Sequence, residues 1–261
     1  MEFKEVVGRR RSIRFFQPWR PVEREKIQTI LEAARLASCA VNAQWLRAVV
    51  VEREKLPRET LDTLKTPVSA TNLELAPVHV YFYADLGAVP RSRGAALKQL
   101  VDVGALTPSH GWSHKFVEEF VWPQILEPMT KSPTQASVGA ATDCGVAICQ
   151  ALLCAFDEGL GACLSAFNPG VAKQAFGVPD DWLPIYVMLL GYPSESWEAG
   201  GQRPRPPFEE LYFEGKYGTP FKRDEKVVER LRAAKMIQAP APLPWRMEEV
   251  RALARMFGLP E

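Results

Sequence analysis

Between Ala136 and Glu158 the chain is apolar on two helical faces. Ile148, Ala151, Leu152 and Ala155 form one, and Val146, Cys149, Leu153 and Phe156 the other. A helix that is apolar all round has to be covered all round, so this stretch predicts a buried helix with the rest of the chain folded about it. Gly159 and Gly161 follow, and glycine readily adopts the left-handed conformation that closes a helix. Ala162–Phe167 can then return as a strand. Three short runs, Ala48–Val51, Val78–Ala84 and Ile185–Leu190, are β-branched or aromatic and flanked by Pro or Gly, which predicts buried strands. Glu23–Ala37 repeats Ile27, Ile30, Leu31 and Ala34 at i, i+3, i+4 and i+7, the period of an amphipathic helix. Helices around one sheet are the implied arrangement.

The chain has 261 residues, 47% hydrophobic and 24% charged, which suits one compact domain with a large core. Thirty-two Lys and Arg against 31 Asp and Glu leave a net charge of +1, so no overall field draws in nucleic acid or an acidic membrane, and any basic site must be local. The start lacks a leader pattern and no stretch approaches a membrane span; a soluble, cytoplasmic protein is expected. Five cysteines without a C-x-x-C pair predict buried, reduced thiols. His110 and His114 are spaced to share a metal, but spacing supplies no third ligand, and no metal is expected. The Rossmann, P-loop, zincin and hydrolase signatures are absent.

Ala105–Thr134 is rich in aromatic residues, with Trp112, Phe116 and Phe120 four apart. This stripe suits either helix packing against the body of the domain or a lid over a planar ligand. Near the C-terminus, a charged helix over Lys222–Lys235 and an amphipathic one over Met247–Phe257 flank the proline-punctuated Ala239–Pro244. The apolar face of the last helix, Met247, Val250, Leu253, Ala254 and Phe257, must cover this subunit or a neighbour.

The chemistry concentrates in arginine. Arg9, Arg10, Arg11 and Arg14 accompany Ser12 within six residues, and Arg203 and Arg205 alternate with prolines. Guanidinium forks bind phosphate bidentately. Two such clusters, with Ser38, Cys39, Asn42 and Gln44 between them, suit a phosphorylated, polyhydroxyl, planar cofactor such as flavin mononucleotide (FMN).

In sequence order the chain carries RRSIR (Arg10–Arg14), ASCAVNAQW (Ala37–Trp45), GLGAC (Gly159–Cys163), LSAFNP (Leu164–Pro169), GVPDDW (Gly177–Trp182), LGYPSE (Leu190–Glu195) and RPRPPFEEL (Arg203–Leu211). Together these resemble the FMN-dependent nitroreductase superfamily over most of residues 6–218. The resemblance implies an α+β fold, a mostly antiparallel central sheet surrounded by helices, in a homodimer with flavin sites at the interface. It divides the chain into an FMN-binding domain, 1–218, with a helical insertion at 105–134, and a C-terminal extension, 219–261, reaching the partner subunit.

It assigns Arg10, Arg11, Ser12 and Arg14 to the flavin phosphate and pyrimidine edge, with Arg14 near the ring, and Arg203 and Arg205 to the phosphate. Ser38, Cys39, Asn42 and Gln44 fall on a second flavin-binding motif, where Cys39 replaces the usual serine and Trp45 the usual proline. Ser165, Ala166 and Phe167 would lie against the flavin, with a backbone N–H facing N5. No side-chain acid or nucleophile is implied, because the cofactor carries the chemistry. The implied activity is ping-pong transfer of two electrons from NADH or NADPH through FMN to a nitroaromatic, quinone or similar acceptor. Dehalogenation, enone reduction or oxidase chemistry without a nicotinamide donor, and flavin binding without catalysis, are the alternatives. Trp45, Trp112, Phe116, Phe120 and Trp122 are the expected acceptor pocket.

Overall fold

The computed structural model describes residues 1–260. Four strands, β1 (Leu46–Glu52), β2 (Val78–Asp85), β3 (Gly161–Ser165) and β4 (Trp182–Gly191), form one antiparallel sheet in the order β1-β2-β4-β3. Every residue of β2 is buried, as its apolar sequence requires of a strand covered on both faces. Alternate residues serve two cores. Val80, Phe82 and Ala84, with Met188 and Leu190 of β4, face the central helix, Pro133–Asp157. Tyr81, Tyr83, Val187 and Leu189 face the other way, onto Ile13, Phe16, Leu61, Leu64, Leu73 and Phe167. Pro184, which cannot donate to a ladder, sits at the register shift between Phe82 and Tyr83, the place in an interior strand that tolerates it.

The expected helices and strands are present with small shifts of their ends: Arg24–Arg35, Glu225–Ala233 and Arg246–Phe257 are helical, and the strand expected over Ala162–Phe167 is β3. Four expectations change. The run Ala48–Val51 lies in β1, an edge strand whose Val50 is 39% exposed, so it is not a buried strand. The central helix turns Ala140, Cys144, Ala147, Ile148, Ala151 and Ala155 inward, yet Val138 and Val146 remain 61% and 44% exposed, so one chain covers it on one side only. That helix is also long and apolar enough to cross a membrane by length and composition, against the expectation of no such stretch; its inward face nevertheless packs in the core. Of the five free cysteines only Cys144 and Cys163 are buried, and Cys149 is exposed.

The C-terminal extension folds back onto its own chain from Glu225 onward. Val228, Leu253 and Ala254 are buried, and Phe257 stacks on Phe15 and Trp19, with ring centroids 6.2 Å apart in each case. The length without local cover is therefore the preceding arm, where Leu211, Tyr212, Tyr217 and Phe221 are each about half or more exposed. The aromatic stripe of residues 112–120 forms a ladder, Trp112 edge-on to Phe116 at 5.5 Å and Phe116 stacked on Phe120 at 5.3 Å. The backbone there widens into π-helical turns over Val117–Leu126, a winding frequent at functional sites.

Candidate active site

The N-terminal arginine segment is laced to the sheet. Ser12 bridges Ala162 of β3 in parallel, Ile13 N donates to Ala162 O at 3.1 Å, and Phe16 bridges Pro193 just after β4. Ile13 can approach so closely because Gly161 has no Cβ; one placed there would lie 2.9 Å from the Ile13 side chain. The segment Arg10–Arg14 is thereby fixed alongside β3 and close to Arg203 and Arg205.

Arg10 makes no side-chain hydrogen bond or ion pair among the described residues. Burial, with Arg205 adding to it and the nearby Cys149 and Cys163 thiols opposing, lowers its tendency to hold a proton. Arg203 is held below the ordinary arginine value by burial first and then by Arg14 and Arg246, with Arg205 also contributing and Glu195 opposing. Its Nη2 reaches only Ala199 O, at 2.9 Å. Arg205 bonds the adjacent Pro204 carbonyl and Arg14 the Ser12 carbonyl, both exposed. Arg10, Arg14, Arg203 and Arg205 form no ion pair among the described residues, the nearby Glu195 being paired with Arg246; such a set of cations makes a cradle for an anion, and the donor set suits a phosphate monoester such as that of FMN.

Arg11 differs from its neighbours. It is 6% exposed and donates to the Gly201, Gly8 and Arg10 carbonyls and to Gln238 Oε1 at 2.6–3.3 Å. Its fork is satisfied by protein oxygens, so it clamps the N-terminal helix Phe3–Arg9 to the 201 and 238 loops. The Arg10 fork, expected to share the phosphate role with it, has no such protein partners among the described residues.

At the end of β3, Ser165 is 9% exposed and Phe167 8%. The Phe167 ring packs in the core, edge-on to Tyr81 at 5.1 Å and Tyr83 at 6.2 Å. Ala166 is exposed, and its main-chain N–H has no acceptor among the described residues. Ala166 is one of the three residues, with Ser165 and Phe167, among which the resemblance expects a backbone N–H toward flavin N5.

The second motif lies elsewhere. Ser38–Gln44 lies against the first half of the central helix, where Asp143 Oδ2 accepts Ala40 N at 3.0 Å and Trp45 Nε1 at 3.1 Å. Ser38, Cys39, Gln44, Trp45, Asp143 and Cys144 line a cavity of about 90 Å³. Gln44 Nε2 donates to Asn42 Oδ1 at 2.7 Å, which leaves the Asn42 amide nitrogen and the Gln44 oxygen without a hydrogen-bond partner among the described residues. Val41, Asn42 and Gln44 hold φ of 51°, 52° and 57°, left-handed values that non-glycine residues adopt at a cost and that cluster at functional sites. Within one chain these residues are not gathered with the arginines. Cys149, near Arg10, is five residues from Cys144 along the helix, about 140° around it.

Trp45 is 3% exposed with its N–H satisfied; it is a buried wall rather than an open face. Trp122 is half-buried, with the Arg93 guanidinium 5.8 Å from its ring centroid. Phe116 and Phe120, 36% and 49% exposed, are the more open faces of the expected pocket. His114 pairs with Asp102 at 2.8 Å, while His110 Nδ1 meets Thr107 and Ser109. The two histidines are thus committed to different partners.

Sequence reasoning missed two contributors. Asp143 and Glu195 each organise backbone of a candidate motif; Asp143 stands out by neither residue type nor spacing, and Glu195 falls in the LGYPSE motif without a role assigned to it.

The α+β chain, with its four-stranded antiparallel sheet among many helices, has a nitroreductase-like fold. Residues 7–82 match the model described as the nitroreductase family. The chain is similar to a nitroreductase family protein from Streptococcus pneumoniae (21% identity, 82% of this chain and 100% of that one, TM-score 0.64). It is also similar to a protein assigned as a nitroreductase from Exiguobacterium sibiricum, solved in complex with FMN (23%, 81% and 96%, 0.61). A third, assigned as an NAD(P)H:FMN oxidoreductase from Staphylococcus epidermidis, gives 18%, 81% and 94%, and 0.64. No curated protein matches the chain. The nitroreductase-like fold that the motifs implied is the fold of this protein.

Proposed function

We propose that this protein is an FMN-dependent oxidoreductase that takes two electrons from NADH or NADPH and passes them to a nitroaromatic, quinone or similar conjugated acceptor by ping-pong exchange at one site. The observation that carries the reading is the arginine cradle, in which Arg10 is desolvated and unpaired beside Arg205. A dianionic phosphate would relieve the repulsion and supply the missing acceptors.

FMN, when bound, would supply the redox chemistry. Arg10, Arg203 and Arg205 would hold its phosphate, Arg14 would place positive charge near the ring, and Ser12 would accept or donate beside it. The Ala166 N–H would donate to the ring edge without a titrating side chain. Phe116 and Phe120 would offer aromatic faces to a planar acceptor and exclude water from it.

Two copies would complete the site. The exposed apolar flank of the central helix (Val138, Val146 and Cys149) supports a homodimer. So does the second motif, which on its own chain lies around the helix from the arginines. A cytoplasmic setting is part of the same proposal.

The test is a visible spectrum of the purified protein, release of the chromophore, and addition of NADH or NADPH under argon, with sedimentation alongside. Released FMN, bleaching by a nicotinamide, recovery with a quinone, and a dimer are expected. A chain that stays colourless after incubation with FMN overturns the proposal. Bleaching only by dithionite removes the nicotinamide donor, and a fully active monomer removes the shared site.

A further inference from the structure

Glu195 is a buried carboxylate at the centre of the arginine cluster, its side chain fully covered. One oxygen, Oε1, accepts the backbone N–H groups of Arg14 at 2.5 Å and Phe15 at 3.0 Å. The other, Oε2, lies 2.6 Å from Arg246 Nη2 without a hydrogen-bond alignment, an ionic contact. Arg246 begins the final helix, Arg246–Phe257. One turn on, Glu249 accepts Ser196 N at 2.6 Å through Oε1 and Arg246 Nη1 at 2.6 Å through Oε2. Burial pulls the Arg246 proton affinity down, but Glu195 and Glu249 outweigh it and raise it.

The fit is built into the backbone. Gly200 has φ 85°, and a Cβ there would stand 2.7 Å from the Arg246 side chain. Leu243 N bonds Gly200 O at 2.8 Å, bringing the chain into the helix beside it. At the other end, Phe257 stacks on Phe15 and Trp19. The final helix therefore grips residues 14–19 at both ends, electrostatically through Glu195 and by packing through Phe257.

We infer that Glu195 is a positioning residue for Arg14, and that the final helix is a latch whose docking is coupled to occupancy of the arginine cradle. The inference rests on the proposed FMN site and deepens it. Arg246 also acts on the cradle directly, because its charge is among those depressing Arg203. An anion that neutralises Arg203 and Arg14 lets Arg246 sit closer to them at lower cost, so ligand binding and helix docking favour each other. Such coupling is reciprocal: a helix that docks more firmly when FMN is bound must, when removed, weaken FMN.

The experiment uses the full chain, as wild type, Arg246→Ala, Arg246→Lys and Glu195→Gln. FMN is titrated by its fluorescence, amide hydrogen exchange is followed with and without FMN, and the midpoint potential of bound FMN is measured. In the wild type, FMN is expected to slow exchange both at residues 11–16 and at residues 246–257. Arg246→Ala is expected to lose the second effect, weaken FMN about tenfold, and shift the bound flavin to a more negative potential as Arg14 loosens. Arg246→Lys should recover part of each change. The potential separates positioning from a general loss of fold, which would lower the bound fraction without moving it. Should Arg246→Ala fail to fold, Glu195→Gln, which keeps the shape and one acceptor, is expected to show the same changes. Unchanged affinity and potential in the folded variants, or FMN protection confined to residues 11–16, overturns the latch. A wild type that takes up no FMN overturns the site reading and the latch together.

Discussion

The Trp45 indole N–H and the Ala40 backbone N–H converge on a single oxygen of Asp143, at 3.1 and 3.0 Å. One carboxylate of the central helix thus holds both ends of the loop whose residues 41, 42 and 44 adopt left-handed conformations. Asp143→Ala is expected to cost about 1.5–3 kcal/mol, the usual value of hydrogen bonds to a charged group, measured by chemical denaturation. The loop should also relax, seen as a shift in Trp45 fluorescence. Asp143→Asn, which keeps one acceptor, should recover most of the stability.

Neighbouring arginines should behave oppositely on substitution. Arg10→Ala removes a desolvated charge with no protein partner, so it is expected to weaken FMN about tenfold or more while leaving the melting temperature unchanged or raised. Arg11→Ala leaves four carbonyl-type oxygens without their donor and should destabilise the fold by about 2 kcal/mol or more. Calorimetry of both variants with an FMN titration distinguishes the two roles. Destabilisation by Arg10→Ala equal to that of Arg11→Ala would contradict the cradle.

Acid should weaken the fold through His79. This ring is fully buried, bonded to Tyr81 Oη and Leu73 O, and burial lowers its pKa from 6.5 to about 4. The folded chain keeps it neutral while the unfolded chain protonates it. Between about pH 6.5 and 4 the unfolded state therefore binds more protons, and stability falls as pH falls. Urea denaturation at several pH values should show this slope. His79→Gln, although less stable overall, should show a flatter profile across the same window.

The aromatic ladder gives a kinetic test. Trp112→Ala removes the edge on which Phe116 leans, and Phe120 stacks in turn on Phe116, so the two exposed rings should lose their alignment. KM for a planar acceptor is expected to rise more than KM for the nicotinamide donor. Steady-state kinetics with both substrates varied would show it, and equal changes would count against a lid.

The residues that make regular structure were readable from the sequence because their physics is local. The β-branched and aromatic run Val78–Ala84, the two apolar faces of Ala136–Glu158 and the glycines that end it dictate element type without reference to distant parts. What lay outside such reading depends on partners far along the chain. Arg11 and Arg10 are identical residues side by side, and only the carbonyl of Gly201, 190 residues away, makes one a clamp and leaves the other free. Phe167 sits in a stretch that the resemblance sets against a flavin, and only the distant Tyr81 and Tyr83 fix where its ring packs. Glu195 was visible in the LGYPSE motif, but its hold on Arg14 and Phe15 needs the chain ends brought together. The tail carried a correct amphipathic period that was silent on what it covers.

The pairing of Ser12 with Ala162 and of Phe16 with Pro193 also governs when the molecule can be finished during synthesis. Ser12 and Phe16 leave the ribosome roughly 150 to 180 residues before the partners they pair with, and contacts so distant in sequence form slowly. The arginine segment must therefore wait, exposed and basic, until β3, β4 and the final helix have been made. Assembly of the arginine cluster is a closing event of folding, although Arg10–Arg14 are translated long before the residues they meet.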